Sequence, residues 1–136
     1  MAGVVGLVEA GLYAKLNVTA VITTAGATGV YNRIAPQGTA LPYVIFQWQG
    51  GGDENSHPDR SRDVVYTIKA LAIAAVAADT IDAACDVLLH DGTITVTGWN
   101  VIWLRREGDV AYSEVDASGQ LVYHTGGMYR IRIEKA

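Results

Sequence analysis

Apolar residues recur along this chain with two different periods, and the points where the period changes divide it into elements. Val4, Val8, Leu12 and Leu16 lie four residues apart between Gly3 and Asn17, with Val5 and Leu7 beside them, which is one stripe of an amphipathic helix. Gly6 and Gly11 each weaken that helix by roughly 1 kcal/mol relative to alanine, so packing must hold it. Val18 to Thr24 fits a short helical turn or an extended segment equally, and Ala25-Gly26-Ala27-Thr28-Gly29 breaks the pattern. Val30-Tyr31-Asn32-Arg33-Ile34 is short enough for an edge strand or a linker.

The period then shortens to two. Pro36 and Pro42 keep the approach irregular, so a strand begins at Tyr43 and runs to Gln49, with Val44, Phe46 and Trp48 on one face. A second strand, Asp63 to Ile73, offers Val65, Thr67, Leu71 and Ile73 on one side and Val64, Tyr66 and Ile68 on the other, which predicts a central strand covered on both faces. From Ala74 to His90 the helical period returns. Ile81, Ala84, Cys85 and Leu88 form the buried stripe, Asp79, Asp82 and Asp86 the opposite side, and Asp91-Gly92 the stop. The remainder reads as β: Thr93 to Thr97, Trp99 to Arg106, Val110 to Glu114 and Leu121 to Lys135, with turns at Glu107-Gly108-Asp109 and Asp116-Ala117-Ser118-Gly119. In the last strand Tyr129, Ile131 and Ile133 alternate with Arg130, Arg132 and Glu134, so one face meets the core and the other water or a partner. Gly126-Gly127 predicts a bulge or a close backbone contact. The pattern as a whole predicts an α+β fold, a mostly antiparallel sheet with two amphipathic helices packed on one face.

Between the first two long strands, residues 50–62 have no apolar anchor to offset the entropy of ordering them. They are expected to form a projecting loop on a single domain spanning 1–136. Long loops in compact domains are either functional or idle, and this one is the candidate interaction arm.

Composition narrows the function. The charged fraction is 18%, below the roughly 25% of average soluble domains, which suggests that other subunits cover part of the surface. A formal net charge of −4 argues against holding nucleic acid by phosphate neutralisation, although Arg105-Arg106 and Arg130 with Arg132 leave room for a small positive face. Cys85 is the only cysteine, so no intrachain disulfide or cysteine metal cluster can form. No secretory signal is expected at the start, and the longest apolar run, Ala70 to Ala78, falls well short of the ~20 residues that span a bilayer.

A search for chemistry finds none. Gly50-Gly51-Gly52 lacks the GK[ST] ending of a phosphate loop and reads as a hinge. His57 and Asp59, with His90-Asp91 and His124, match no metal-ligand spacing. Ser56 beside His57 has no third group to orient a nucleophilic pair, and Asp53-Glu54 sits in a solvated loop that gives neither carboxylate a distinct environment. Trp48, Trp99 and Trp103 read as core packing rather than base stacking, because no lysine or arginine interleaves with the strand at 43–49. Cys85, on the buried stripe, reads as structural. No catalytic residue, metal or cofactor is expected.

The order of elements resembles the tail completion or tail terminator family of long-tailed bacteriophages and related gene transfer agents. The resemblance is carried by the N-terminal helix, by Val30-Tyr31, by Ala35-Pro36-Gln37-Gly38 leading to Leu41-Pro42-Tyr43-Val44, by the helix ending Leu88-Leu89-His90-Asp91-Gly92, and by Tyr129-Arg130-Ile131-Arg132-Ile133-Glu134. The chain departs from that pattern in its glycine-rich loop start and in the hairpin between Val110 and Tyr123. What the resemblance implies is a non-enzymatic virion protein with a terminator-like fold. It would be made in the host cytoplasm and form a ring, a hexamer, at the head-proximal end of the tail. The implied partners are further copies of itself, the tail tube protein and a neck or head-completion protein, with DNA sliding through the lumen unbound and no membrane involved. Asp53, Glu54, His57, Asp59, Arg60 and Arg62 are the candidate arm towards tube or neighbour, and Arg130 and Arg132 the candidate subunit-exposed face. Two alternatives stand beside this reading: another connector of the same particle class, or a small dimeric α+β ligand-binding protein or enzyme.

Overall fold

Val8, Leu12 and Leu16 have no exposed surface, so the four-residue spacing does place one face of a helix in the core. In the computed structural model, which describes residues 3–53 and 60–136, that helix is α1 (Val4–Leu16). A π-helical turn at Ala20–Thr24 follows and resolves the ambiguous segment as helical. Then come β1 (Val30–Asn32), β2 (Tyr43–Asp53), β3 (Ser61–Ala72), α2 (Ala75–Leu89), β4 (Trp99–Val115) and β5 (Leu121–Lys135).

The five strands form one sheet in the order β1-β2-β3-β5-β4. Only β1 runs parallel to its neighbour, and every other pairing is antiparallel. Val64, Tyr66, Ile68 and Ala70 of β3 and Tyr129, Ile131 and Ile133 of β5 share one core with the buried residues of α1 and α2. The helices therefore lie on one face, as the pattern predicts. β3 is central, but it is not covered on both faces. Val65, Thr67 and Lys69 remain half-exposed, and the open face carries only a small apolar cluster of Ile45, Leu71 and Val122 with Leu41 and Tyr43 packed on it.

Four local expectations are corrected. The strands reach further into the glycine-rich segment than the pattern suggested, because β2 continues to Asp53 through a bulge between Trp48 and Gly50. Gly51 makes this geometry accessible: its φ is +102°, and a Cβ there would fall on the backbone carbonyl of Asp63. Thr93 to Thr97 is not a strand, and only Val96 bridges to Trp99. Glu107-Gly108-Asp109 is not a turn: β4 runs through it with register shifts at Val101/Trp103 and Arg106/Gly108. Finally, α2 does not keep all three aspartates in solvent. Asp82 is buried alongside Ile81 and Cys85, where Arg106 of β4 holds it. Asp91, with φ of +55°, is the residue that turns the chain after α2, and its N–H donates to the Leu104 carbonyl at 2.9 Å.

Gly126 lies where the β3–β5 register runs without interruption, so it is a close contact and not a bulge. A Cβ there would collide with the Ile68 carbonyl and Lys69 Cα. At the far end of the ribbon formed by β4 and β5, residues 111–121 are exposed, and the hairpin extends beyond the helices.

Candidate interaction surface

The predicted contact residues divide between two faces of the sheet, the described ones of the arm on the helix side and Arg130 and Arg132 on the open side. Asp53 ends β2 and pairs in register with Arg62 of β3, and Arg60 Nε donates to Asp53 Oδ2. Glu54, His57 and Asp59 lie outside the described residues. Because side chains alternate along β3, Arg62 shares the helix-side face with Val64 and Tyr66. It lines a cavity beside α1 together with Arg60, Trp99 and Lys135.

Arg130 and Arg132 project from β5 to the open face, as the alternation predicts. They are partly neutralised there. Arg132 Nη1 donates to Asp63 Oδ1 at 3.0 Å, Arg130 Nε donates to Glu107 Oε1 at 2.8 Å, and Arg130 Nη1 lies 3.9 Å from Asp63 Oδ2. Their side chains keep 35% and 28% exposure. Such half-exposed pairs contribute little to stability, on the order of 0–1 kcal/mol each, and stay available to exchange partners. A depression of about 360 Å³ opens beside them, lined by Gln49, Val65, Glu107, Met128 and Arg130.

Two clusters were not legible as units in the sequence. The first explains buried Asp82. Arg106 holds Asp82 in a two-pronged pair, Nη1 to Oδ1 at 2.8 Å and Nη2 to Oδ2 at 3.0 Å, and Nη2 also donates to the Gly126 carbonyl at 2.8 Å. Arg106 Nε donates to Asp109 at 2.9 Å, and Tyr129 Oη donates to Asp86 Oδ1 at 2.9 Å. Hydrogen bonding to Asp82 holds the guanidinium far above its ordinary pKa. Arg106 thus staples α2 to β4 and β5 and contributes nothing to a positive face. Its neighbour Arg105 lies 4.7 Å from the Trp103 ring centroid, with Asp91 3.9 Å away.

The second cluster is on the open face. His124, 4% exposed, stacks on Tyr112 with ring centroids 4.4 Å apart and has Nε2 2.6 Å from Glu114 Oε1. Lys69 Nζ donates to Tyr112 Oη at 2.6 Å. Burial first, and then the Lys69 charge, lower the His124 pKa against the opposing pull of Glu114. His90, by contrast, caps the start of the Arg106 bulge, its Nδ1 accepting the Arg106 N–H at 3.1 Å. His90 and His124 therefore serve separate local roles, and no group of three or more metal-ligating side chains occurs among the described residues. Cys85 is buried, and desolvation pushes its thiol pKa up to about 12, which fits the structural role expected for it. No helix among the described residues is long and apolar enough to cross a membrane.

Comparison with known proteins gives this surface a context. A protein-family model described as "Tail completion protein gp17" matches residues 10–134. No curated protein matches the sequence. Among solved structures, a chain from the virion of a native gene transfer agent particle has the same fold, with a TM-score of 0.78, covering 98% of this chain and 99% of that chain at 18% sequence identity.

Proposed function

The chain belongs to the tail completion protein gp17 family, a family of structural virion proteins and not of enzymes, and on that premise we propose that it caps the tail tube. In this reading copies of the chain, six of them, close into a ring on the last ring of the tube and stop its growth. The far side of the ring receives the neck of the head. The protein is made in the host cytoplasm and comes to rest at the head-proximal end of the tail.

The observation that carries the proposal is the family match over residues 10–134. The architecture supports it. Stopping a polymer requires one surface that copies the repeating interface and another that does not. Here the helices close one sheet face and leave the other open, and β4 is an edge strand whose outer side is bonded at Trp99, Leu104 and Arg106 but has no strand beside it from Glu107 to Val115 among the described residues. A second open edge lies on β2, which β1 pairs only at Val44 to Phe46. Such edges accept further strands. The net charge of −4 suits a lumen through which DNA slides without being trapped, because like charge repels phosphate.

Within this reading the connection from Asp53 to Arg62 reaches towards the tube or the adjacent subunit, and Arg130 and Arg132 exchange their internal carboxylates for partner groups. The test is the solution mass of the purified protein by light scattering, alone and mixed with tail tubes. A ring, or a monomer that becomes a ring on tube ends, supports the cap. A compact dimer indifferent to tubes refutes it, and a ring that binds only portal-side components moves the protein to another place in the neck. Deleting residues 53–61 should abolish capping, and normal capping by that deletion would remove the arm from the mechanism.

A further inference from the structure

We propose that the tip of the β4–β5 hairpin in one copy docks in a cationic cavity at the opposite end of the same ribbon in a second copy. The inference rests on the ring reading above and supplies that ring with a specific contact.

The cavity, of about 450 Å³, has Val4 and Leu7 of α1 and Trp99 of β4 as apolar walls, with Arg60, Arg62 and Lys135 around them. Two cations lie over the Trp99 ring, the Arg60 guanidinium 5.9 Å and the Lys135 ammonium 5.7 Å from its centroid. Arg60 already holds Asp53 outside the cavity, but no acidic side chain lines the cavity itself among the described residues, which leaves Arg62 and Lys135 facing it. Arg62 Nε is buried without a hydrogen-bond partner among them. A buried donor left unpaired carries a substantial desolvation cost, so an acceptor arriving from outside is favoured there. The walls and rim together ask for a carboxylate flanked by apolar side chains.

The hairpin tip presents that combination. Val115 and Leu121 are 65% and 39% exposed, so aliphatic side chains flank the turn on both sides. Between them Asp116 Oδ1 accepts hydrogen bonds from Ser118 N, Ser118 Oγ and Gln120 N at 2.9, 2.6 and 2.9 Å. These donors lower its pKa and fix its direction at the end of the ribbon.

The two features cannot meet within one molecule. The 17 residues of β4 separate them by roughly 50 Å at about 3.3 Å per residue. Only a second copy can bring tip and cavity together. Because the two patches differ, the contact is heterologous, and repetition of it closes a ring or continues as a filament. Nucleic acid is the poorer occupant: its phosphates would meet a chain of net charge −4 and gain nothing from Val4 and Leu7.

Cysteine cross-linking tests this on the full chain, with the buried native Cys85 as a silent background. Ser118→Cys places a thiol on the tip and Thr97→Cys one at the cavity, where Thr97 is exposed. With tail tubes present, the double variant should oxidise to a ladder of linked multimers. An equimolar mixture of the two single variants should give linked dimers and nothing larger, since each chain then carries one competent patch. As a control that does not depend on cysteine, Asp116→Lys at the exposed tip should abolish ring formation, and combining it with Arg62→Glu should restore it. Rings by light scattering with no tip-to-cavity link, or with Asp116→Lys rings as abundant as wild type, overturn this contact and leave the ring standing. Links from the tip to tube protein alone overturn the second copy as occupant. Absence of any ring on tubes overturns the ring reading and this inference together.

Discussion

Replacing Arg106 by methionine should destabilise the protein more than any other single surface-reachable substitution in the sheet. Asp82 and Arg106 have side-chain exposures of 10% and 16%, so removing the guanidinium leaves the Asp82 carboxylate in the interior beside Asp86 with no cation. Breaking a buried pair by removing one partner costs about 3–5 kcal/mol. Residual solvent access places this one near the lower end, about 3 kcal/mol. With an unfolding entropy of roughly 2.1 cal/mol/K per residue, the 136 residues give roughly 0.29 kcal/mol/K, so Tm should fall by about 10 °C. The reverse deletion, Asp82→Leu, should cost less. Arg106 then keeps Asp109, the Gly126 carbonyl and the outlying Asp86, and a loss of about 1–2 kcal/mol follows for one charge-assisted bond set. The double variant should lose well under the sum of the two, because an apolar pair of similar volume replaces a desolvated ion pair at little net cost. Urea denaturation of the four proteins gives the full cycle. A loss below 1 kcal/mol for Arg106→Met, or an additive double variant, would refute the claim that Arg106 exists to neutralise the carboxylates of α2.

Two helical glycines should respond in opposite directions. Gly6→Ala, on the exposed side of α1, should stabilise by about 1 kcal/mol. Gly11→Ala should destabilise by about 1–3 kcal/mol despite the same propensity gain, because its Cβ would fall on the Thr95 carbonyl; thermal melts of the pair decide. His124 gives a pH dependence. Its folded pKa lies below the ordinary value of 6.5, so the unfolded chain binds more protons as pH drops below about 6.5 and stability falls with it, until the folded pKa is passed. His124→Phe should flatten that stretch of the stability curve, and an unchanged slope would remove His124 as its cause. Cys85, with its pKa raised to about 12, should be inert to a thiol reagent at neutral pH in the native state and react at once in urea. Reversing Arg130 and Arg132 to glutamate together should weaken assembly while leaving Tm within a few degrees, and normal assembly would count against the open face as a contact.

The covered half of the molecule was written plainly in its periodicity, and the other half was not. Val8, Leu12 and Leu16, or Tyr129, Ile131 and Ile133, declare a face because nothing but a core explains their spacing. The errors fall where backbone geometry overrides side-chain pattern. Gly108 and Asp109 look like turn residues, yet β4 passes through them, taking up the extra residue in a register shift just after Arg106. Gly50 to Gly52 look like a hinge, yet they carry a bulge that only a glycine at 51 can form. Asp82 looked like a solvent-side residue for the same kind of reason: its partner lies 24 positions away, and a helical wheel cannot show a long-range cation.

The site was less legible still, because an assembly surface has no required chemistry to recognise. What distinguishes it is imbalance that the single chain leaves uncorrected. Many charges among the described residues are answered within the chain: Arg106 by Asp82, Arg132 by Asp63, Arg130 by Glu107, Arg33 by Glu9. Against that background Arg62 and Lys135 at the Trp99 cavity have no carboxylate beside them among the described residues, and Val115 and Leu121 lie exposed at the other end of the ribbon. Folding alone does not call for either: the exposed tip lies outside the core, and Arg62 Nε is buried without a hydrogen-bond partner among the described residues. Features that a monomer does not need, placed at opposite ends of its longest strands, are what selection for a repeating contact would leave behind.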